Sequence, residues 1–423
     1  MNEFDRLNPK LAAWLDAMPN EAPDRVSDGI MSGIATVKQQ RAPLLPWTVT
    51  IVRPPWLVPV VIAILLLIAM AAAVIVGSRL PSHRLYTNDL VPAVPLTAAR
   101  SNPVLVSLTD GRVLVVGGSD VAPAAELYDL STKSSSALPD VTDGAGLRHA
   151  YLGARLQDGR AFLLAPGEAW VFDPRSSAFT RLPQMTAARI DAAVAVLADG
   201  QVLVTGGYTA DDPGNSLATT EIFDPKTNQF TSTGAMGWAR QEHDMIALPP
   251  PGGGAIALGG VTKIDGGQHP NSYVERFDEK LFTFHQLYGW SGVRVLPVPI
   301  PDGRIALFDR VQPFTPAGSV VLYDVDADSV GGIQPLPYAV SVALPLDDGR
   351  AFLAGGEDHG RWAAMYDPLT KVLTVAPALL GWSPSAAVLS DGRVLLAGGF
   401  AAPEPADAAA PVPPPVDTVE LFQ

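Results

Sequence analysis

The stretch "DGRVLVVGG", Asp110 to Gly118, sets an Asp-Gly pair ahead of an apolar run and closes the run with two glycines. Asp-Gly before apolar residues is a hairpin signal, because glycine takes positive φ without a Cβ clash. The run Val113 to Val116 shows no polar alternation, which reads as a strand covered on both faces. The pattern returns six times: "DGRAFLLAP" from Asp158, "DGQVLVTGG" from Asp199, "GGGAIALGG" from Gly252, "DGRIALFDR" from Asp302, "DGRAFLAGG" from Asp348 and "DGRVLLAGG" from Asp391. Seven starts at intervals averaging about 47 residues define seven units, and a period of that length marks a repeat architecture.

Each unit carries a second landmark downstream, an aromatic followed by an acid. These are Tyr128-Asp129, Phe172-Asp173, Phe223-Asp224, Phe277-Asp278, Tyr323-Asp324 and Tyr366-Asp367, while the last unit stops at Phe422-Gln423. A third landmark, "LTAAR", "MTAAR" or "MGWAR", ends at Arg100, Arg189 or Arg240. Turn chemistry and length give each unit about four strands, with the run after Asp-Gly as an inner strand. No unit can bury both faces alone, but seven arranged radially can. The expected fold is all-β, a seven-bladed β-propeller. The seventh unit lacks its last strand, and "NDLVPAVPLTAAR" (88–100) is an orphan that aligns with the exit of unit two. Pairing the strand near 88–96 with the seventh unit closes the ring and removes two sheet edges.

The double glycine ending an apolar strand, followed by an aromatic strand and polar turn, resembles the kelch repeat over roughly residues 88–423. That resemblance implies a propeller of the type at the centre of galactose oxidase. Departures stand at Ala165-Pro166 and Asp309-Arg310, where two units lack the glycine pair, and at Phe179 and Phe230, where kelch repeats often carry Trp.

The remainder of the chain has a different character. Trp56 to Gly77 holds 22 residues without a charge, long enough at about 1.5 Å per residue to cross a hydrocarbon core of about 30 Å. The expected layout is a helical cytoplasmic segment (1–40), a Pro-containing linker (41–55), a transmembrane helix (56–78), a second linker (79–87) and the propeller (88–423). Lys38, Arg41 and Arg53 before the span, against Arg79 and Arg84 after it, put the N-terminus in the cytoplasm and the propeller outside. Leu7, Leu11, Trp14, Leu15 and Met18 follow helical spacing, as do Val26, Ile30, Ile34 and Val37. "LAAWLDAMPNEAPDRV" (11–26) is similar to the short anti-sigma-like cytoplasmic segments of bacterial membrane proteins, which implies a regulator such as a sigma factor as its partner. "AAPEPADAAAPVPPPVD" (401–417) reads as a long Pro/Ala-rich loop.

A net charge of −14 disfavours nucleic acid as a partner. The chain has no cysteine, which excludes disulfides and thiolate metal sites. It also excludes the copper-radical chemistry of galactose oxidase-like enzymes, whose cofactor needs a tyrosine cross-linked to cysteine. Nothing after the glycine pairs supplies the Lys-Ser/Thr of a phosphate loop. Gly117, Gly118, Gly206, Gly207, Gly259, Gly260, Gly355, Gly356, Gly398 and Gly399 are therefore read as structural. The six histidines form no ligand-spaced pair, and neither a metal, a cofactor nor a catalytic set is assigned. Two candidate binding features stand out. Arg100, Arg148, Arg189 and Arg240 occupy equivalent places and would form a ring of guanidiniums for carboxylates or an acidic segment, or else each pair with an Asp of the neighbouring blade. Glu357, Asp358 and His359 would sit at the propeller mouth. The resulting expectation is a non-enzymatic membrane protein whose propeller binds a protein or glycan; the alternative is a surface enzyme acting on a carbohydrate.

Overall fold

The computed structural model describes residues 86–121, 123–141, 144–249, 252–289, 294–309, 318–355, 361–379, 383–401 and 414–423. The helices expected within 1–40 and the span at 56–78 lie outside these residues, as do Gly356, Glu357, Asp358 and His359. The described residues contain one helical element, a 3-10 segment at Gly144–His149. No helix among them is long and apolar enough to cross a membrane.

The chain adopts the all-β, seven-bladed propeller that the repeat implies, with seven antiparallel sheets of at least four strands. Blade 1 shows how the motif folds. Val104–Ser107 is innermost, and the Asp110-Gly111 turn leads to Arg112–Val116, followed by Ala125–Asp129 and Ser134–Ala137. The strand after Asp-Gly is thus second from the axis, not innermost. Burial explains the correction: Val104–Ser107 alternates between buried and half-buried residues as it borders the axial channel, whereas Val113 to Val116 are wholly covered by strands on both sides. The inner strands of successive blades stand side by side round the axis, and blade 7 meets blade 1.

Leu90–Pro92 pairs antiparallel with Val419–Phe422, in the register Leu90 to Phe422, so the N-terminal end of the propeller supplies the outer strand of blade 7. Blade 4 adds a two-stranded ribbon, Val261–Ile264 with Gly267–Pro270, between its second and third strands.

The Asp-Gly-Arg arginine explains more than the turn. Asp110 Oδ1 accepts the Arg112 backbone N–H at 3.0 Å and Oδ2 accepts Nη2 at 2.6 Å, while the same Nη2 donates to Pro174 O of blade 2 at 2.7 Å. Arg160 repeats the arrangement on Pro225 O of blade 3 at 2.5 Å. Each guanidinium holds its own turn and the aromatic-Asp-Pro turn of the next blade. The aromatic positions pair across the third and fourth strands, with Phe172 to Phe179 at 4.8 Å and Phe223 to Phe230 at 5.2 Å between ring centroids. In those two blades Phe takes the place where the kelch pattern often has Trp.

Candidate functional site: the axial mouth

At the end of the axis opposite the Asp-Gly turns, all seven blades border one cavity of about 840 Å³. The approach to it is built from the Arg-containing crossovers. Arg100, Arg189 and Arg240 are fully buried. Arg100 Nε donates to Glu126 Oε1 at 2.7 Å, Arg189 Nη2 to Glu221 Oε1 at 3.0 Å and Arg240 Nη2 to Glu275 Oε2 at 2.5 Å. Each Glu lies on the third strand of the blade that its Arg leads into. These guanidiniums are not a rim for a ligand. The pairing partner is a glutamate of the same blade, not an acid of a neighbouring one.

Arg148 behaves differently because blade 2 carries Trp170 where the other three carry glutamate. Its side chain stays partly exposed and reaches Asp140 at 3.2 Å. Glu126, Glu221 and Glu275 went unread in the sequence, though a signal exists: Glu stands three residues before the landmark Asp in units that also carry the buried Arg.

Gly207 shows what the second glycine of each pair does. Its N–H donates to Arg240 O of the next blade at 2.9 Å, its φ is +84°, and a Cβ would sit 2.4 Å from Ile190 O. Gly118, on Arg148 O, and Gly399, on Arg100 O, make the same bond. Blade 2 lacks the pair at Ala165-Pro166, yet Gly167 donates to Arg189 O at 3.0 Å, so the bond survives one residue later.

Two residues past each buried Arg the backbone turns left-handed. Asn102, Asp191 and Glu242 have φ of +49°, +53° and +53°, Ser383 of blade 7 has φ of +46°, and all four border the cavity. Asn and Asp tolerate this region, but Glu and Ser there store strain of about 1 kcal/mol or more. Glu242 forms an ion pair with Arg294 of blade 5, and its N–H donates to Asp191 O at 3.2 Å. Partial burial, and then the neighbouring Glu242, raise the Asp191 carboxyl above the usual range. Burial likewise pushes up the Tyr151 phenol on the cavity wall. His243 is only 5% exposed and its Nε2 lies 2.7 Å from Thr205 Oγ1. Burial first, then Arg240 and Arg189, lower its pKa well below the ordinary value, so it is neutral.

The architecture and repeat together define a seven-bladed β-propeller. The kelch motif matches residues 192–237, which run from the inner strand of blade 3 to the crossover into blade 4. No curated protein matches the chain. Among solved structures it is similar to a fungal alcohol oxidase of the AA5 family in complex with copper. The identity is 15%, the TM-score 0.52, and the match covers 79% of this chain and 75% of that one. This likeness is one of fold. Among the described residues no three His, Cys, Asp or Glu side chains converge as a metal site would require, and the His243 imidazole bordering the cavity is hydrogen-bonded to Thr205.

Asp309 marks where blade 5 loses its glycine pair. Burial alone raises its carboxyl, and its Oδ1 has no hydrogen-bond partner. Because its folded pKa lies above the unfolded value, wild-type stability falls as pH rises from about 3.8 through the folded pKa. Asp309→Asn removes that loss. Urea melts should show the variant more stable than wild type at pH 7, with a smaller difference near pH 3; an advantage independent of pH would refute the assignment.

Proposed function

We propose that the chain is a single-pass membrane protein whose kelch propeller is a binding module, with the axial mouth as its partner site. The observation that carries this reading is the cavity of about 840 Å³ bordered by all seven blades, with Asn102, Asp191, Glu242 and Ser383 held left-handed at its edge. A partly desolvated carboxylate such as Asp191 gains by meeting a donor-rich partner segment. The uncharged stretch Trp56–Gly77 supports membrane anchoring, and the basic residues ahead of it support a cytoplasmic N-terminus with the propeller outside. On this reading residues 1–40 bind a cytoplasmic regulator such as a sigma factor, and the mouth binds a protein or glycan.

A photo-crosslinker at Ser383 tests the mouth. The adduct it forms with a partner should disappear in Asp191→Arg, while the variant stays folded, losing no more than about 1–3 kcal/mol, the cost of a larger side chain at this left-handed position. An adduct that persists unchanged in Asp191→Arg would place partner binding elsewhere.

One observation favours a second reading, a surface enzyme acting on a carbohydrate. The raised carboxyl of Asp191 beside Glu242 in a cavity is the kind of carboxyl pair that acid-base chemistry on glycosides uses. Glycan turnover by the wild type that is lost in Asp191→Asn would favour the enzyme over the binding module.

A further inference from the structure

The arginine of an Asp-Gly-Arg turn faces an Asp-Pro turn of the next blade at three junctions. Arg112 reaches Pro174 O and Arg160 reaches Pro225 O, which closes blade 1 on blade 2 and blade 2 on blade 3. At the third junction, between blades 5 and 6, Arg304 makes no bond to Pro368. Its Nε and Nη2 donate to Asp302 Oδ2 at 2.9 and 2.5 Å, and Nη1 has no acceptor among the described residues. A groove of about 390 Å³ opens there instead, with Arg304 and Pro368 both on its wall.

The groove sets polar groups of both kinds beside an apolar surface made by Val320, Leu322 and Val330. Asp324 Oδ1 accepts the Asp326 and Ala327 N–H groups at 3.1 and 2.9 Å, while Oδ2 has no hydrogen-bond partner among the described residues. Asp302 first, and then Asp324, raise the Arg304 pKa, so the Asp324 carboxylate stands within electrostatic reach of that guanidinium. From blade 6, Tyr366 OH is fixed on Gln334 Oε1 at 2.7 Å, and the Lys371 ammonium has no partner among the described residues. The groove between blades 3 and 4, about 580 Å³, has Gln201 in the arginine's place and no cation on its wall.

The charges of the blade 5–6 groove cancel, Arg304 and Lys371 against Asp302 and Asp324, so no net field selects an ion. What remains is unused donor and acceptor capacity next to apolar side chains. A sugar ring matches both, with hydroxyls at its rim and C–H groups on its faces. The volume lies within the range of small-ligand sites, about 300–1,000 Å³. A peptide adding as a further strand would need a continuous edge. The outer strand of blade 5 is instead broken into Ser329–Val330 and Gln334–Pro335.

We propose that the groove between blades 5 and 6 binds a neutral sugar residue, with Arg304 and Lys371 donating to its hydroxyls and Asp324 Oδ2 accepting from them. None of the residues lining the groove borders the axial mouth, so the two sites are separate. A glycan held here leaves the mouth open to its own partner.

Saturation-transfer NMR and titration calorimetry on the full chain, in a detergent without a sugar headgroup, test the site. The probes are the methyl glycosides of glucose, galactose, mannose and N-acetylglucosamine. At least one should bind, and Arg304→Gln should weaken it about tenfold or more. The repeat accommodates that residue, because Gln201 holds the same place in blade 3. Lys371→Ala, at an exposed position, should weaken binding several-fold. Arg112→Gln, at a closed junction, should leave the affinity unchanged. Failure of every glycoside to bind overturns the proposal, and so does binding that Arg304→Gln and Lys371→Ala leave intact. Weakening by Asp191→Arg instead would place the sugar at the mouth, and displacement of the glycoside by inorganic phosphate would make the groove an anion site. Either result also overturns it.

Discussion

Glu221→Ala is expected to destabilise the propeller by about 3–5 kcal/mol, as for any buried ion pair broken from one side. The carboxylate accepts Arg189 Nη2 at 3.0 Å and the Thr186 N–H at 2.9 Å, in a place with no solvent access. With Glu221 gone, the Arg189 guanidinium keeps its bonds to Gly206 O and Thr219 O but loses its counter-charge. Burial already lowers its pKa, against the opposing pull of the Glu221 carboxylate. Arg148→Ala supplies the contrast. Its pair with Asp140 is long and exposed, and the loss should fall within about 0–1 kcal/mol. A double replacement of Arg189 and Glu221 by Met and Leu should recover most of the stability, since the pair's desolvation cost disappears with it. Urea denaturation of the four proteins decides the matter; equal losses for Glu221→Ala and Arg148→Ala would mean that the buried pairs do not lock the crossovers.

Phe422→Ala should cost about 3–5 kcal/mol, the range for truncating a fully buried aromatic. Here Phe422 is completely buried, lies 4.8 Å from Phe352 of blade 6 between ring centroids, stacks on Tyr86 and pairs in register with Leu90. Phe422 thus holds the seam at which the ring closes. Phe223→Ala, in the middle of the chain and equally buried, is the reference. Thermal unfolding should show comparable losses for the two. A Phe422→Ala protein as stable as wild type would mean that the seam carries little of the propeller's stability.

The repeat made most of the fold legible. Asp-Gly turns, uniformly apolar strands and aromatic-Asp landmarks are local features, and their recurrence counts the blades. What the repeat did not disclose was which strand is innermost, because Val104–Ser107 and Val113–Val116 are both apolar and only their distance from the channel separates them. The arginines were legible as a set, but their role was not. Four equivalent guanidiniums suggest a binding ring until Glu126, Glu221 and Glu275, 26 to 35 residues downstream, are folded back against three of them. The mouth was least legible. Asp191, Glu242 and Arg294 belong to three different blades, and no local pattern announces that they share a cavity.

The sequence by itself determined the seven blades, their turns and the glycines between them, because each depends on the conformational preference of a few neighbouring residues. Only the tertiary structure decided which charges are buried and which face the cavity. Burial and charge pairing depend on residues far apart in the chain that meet only when adjacent blades close the ring.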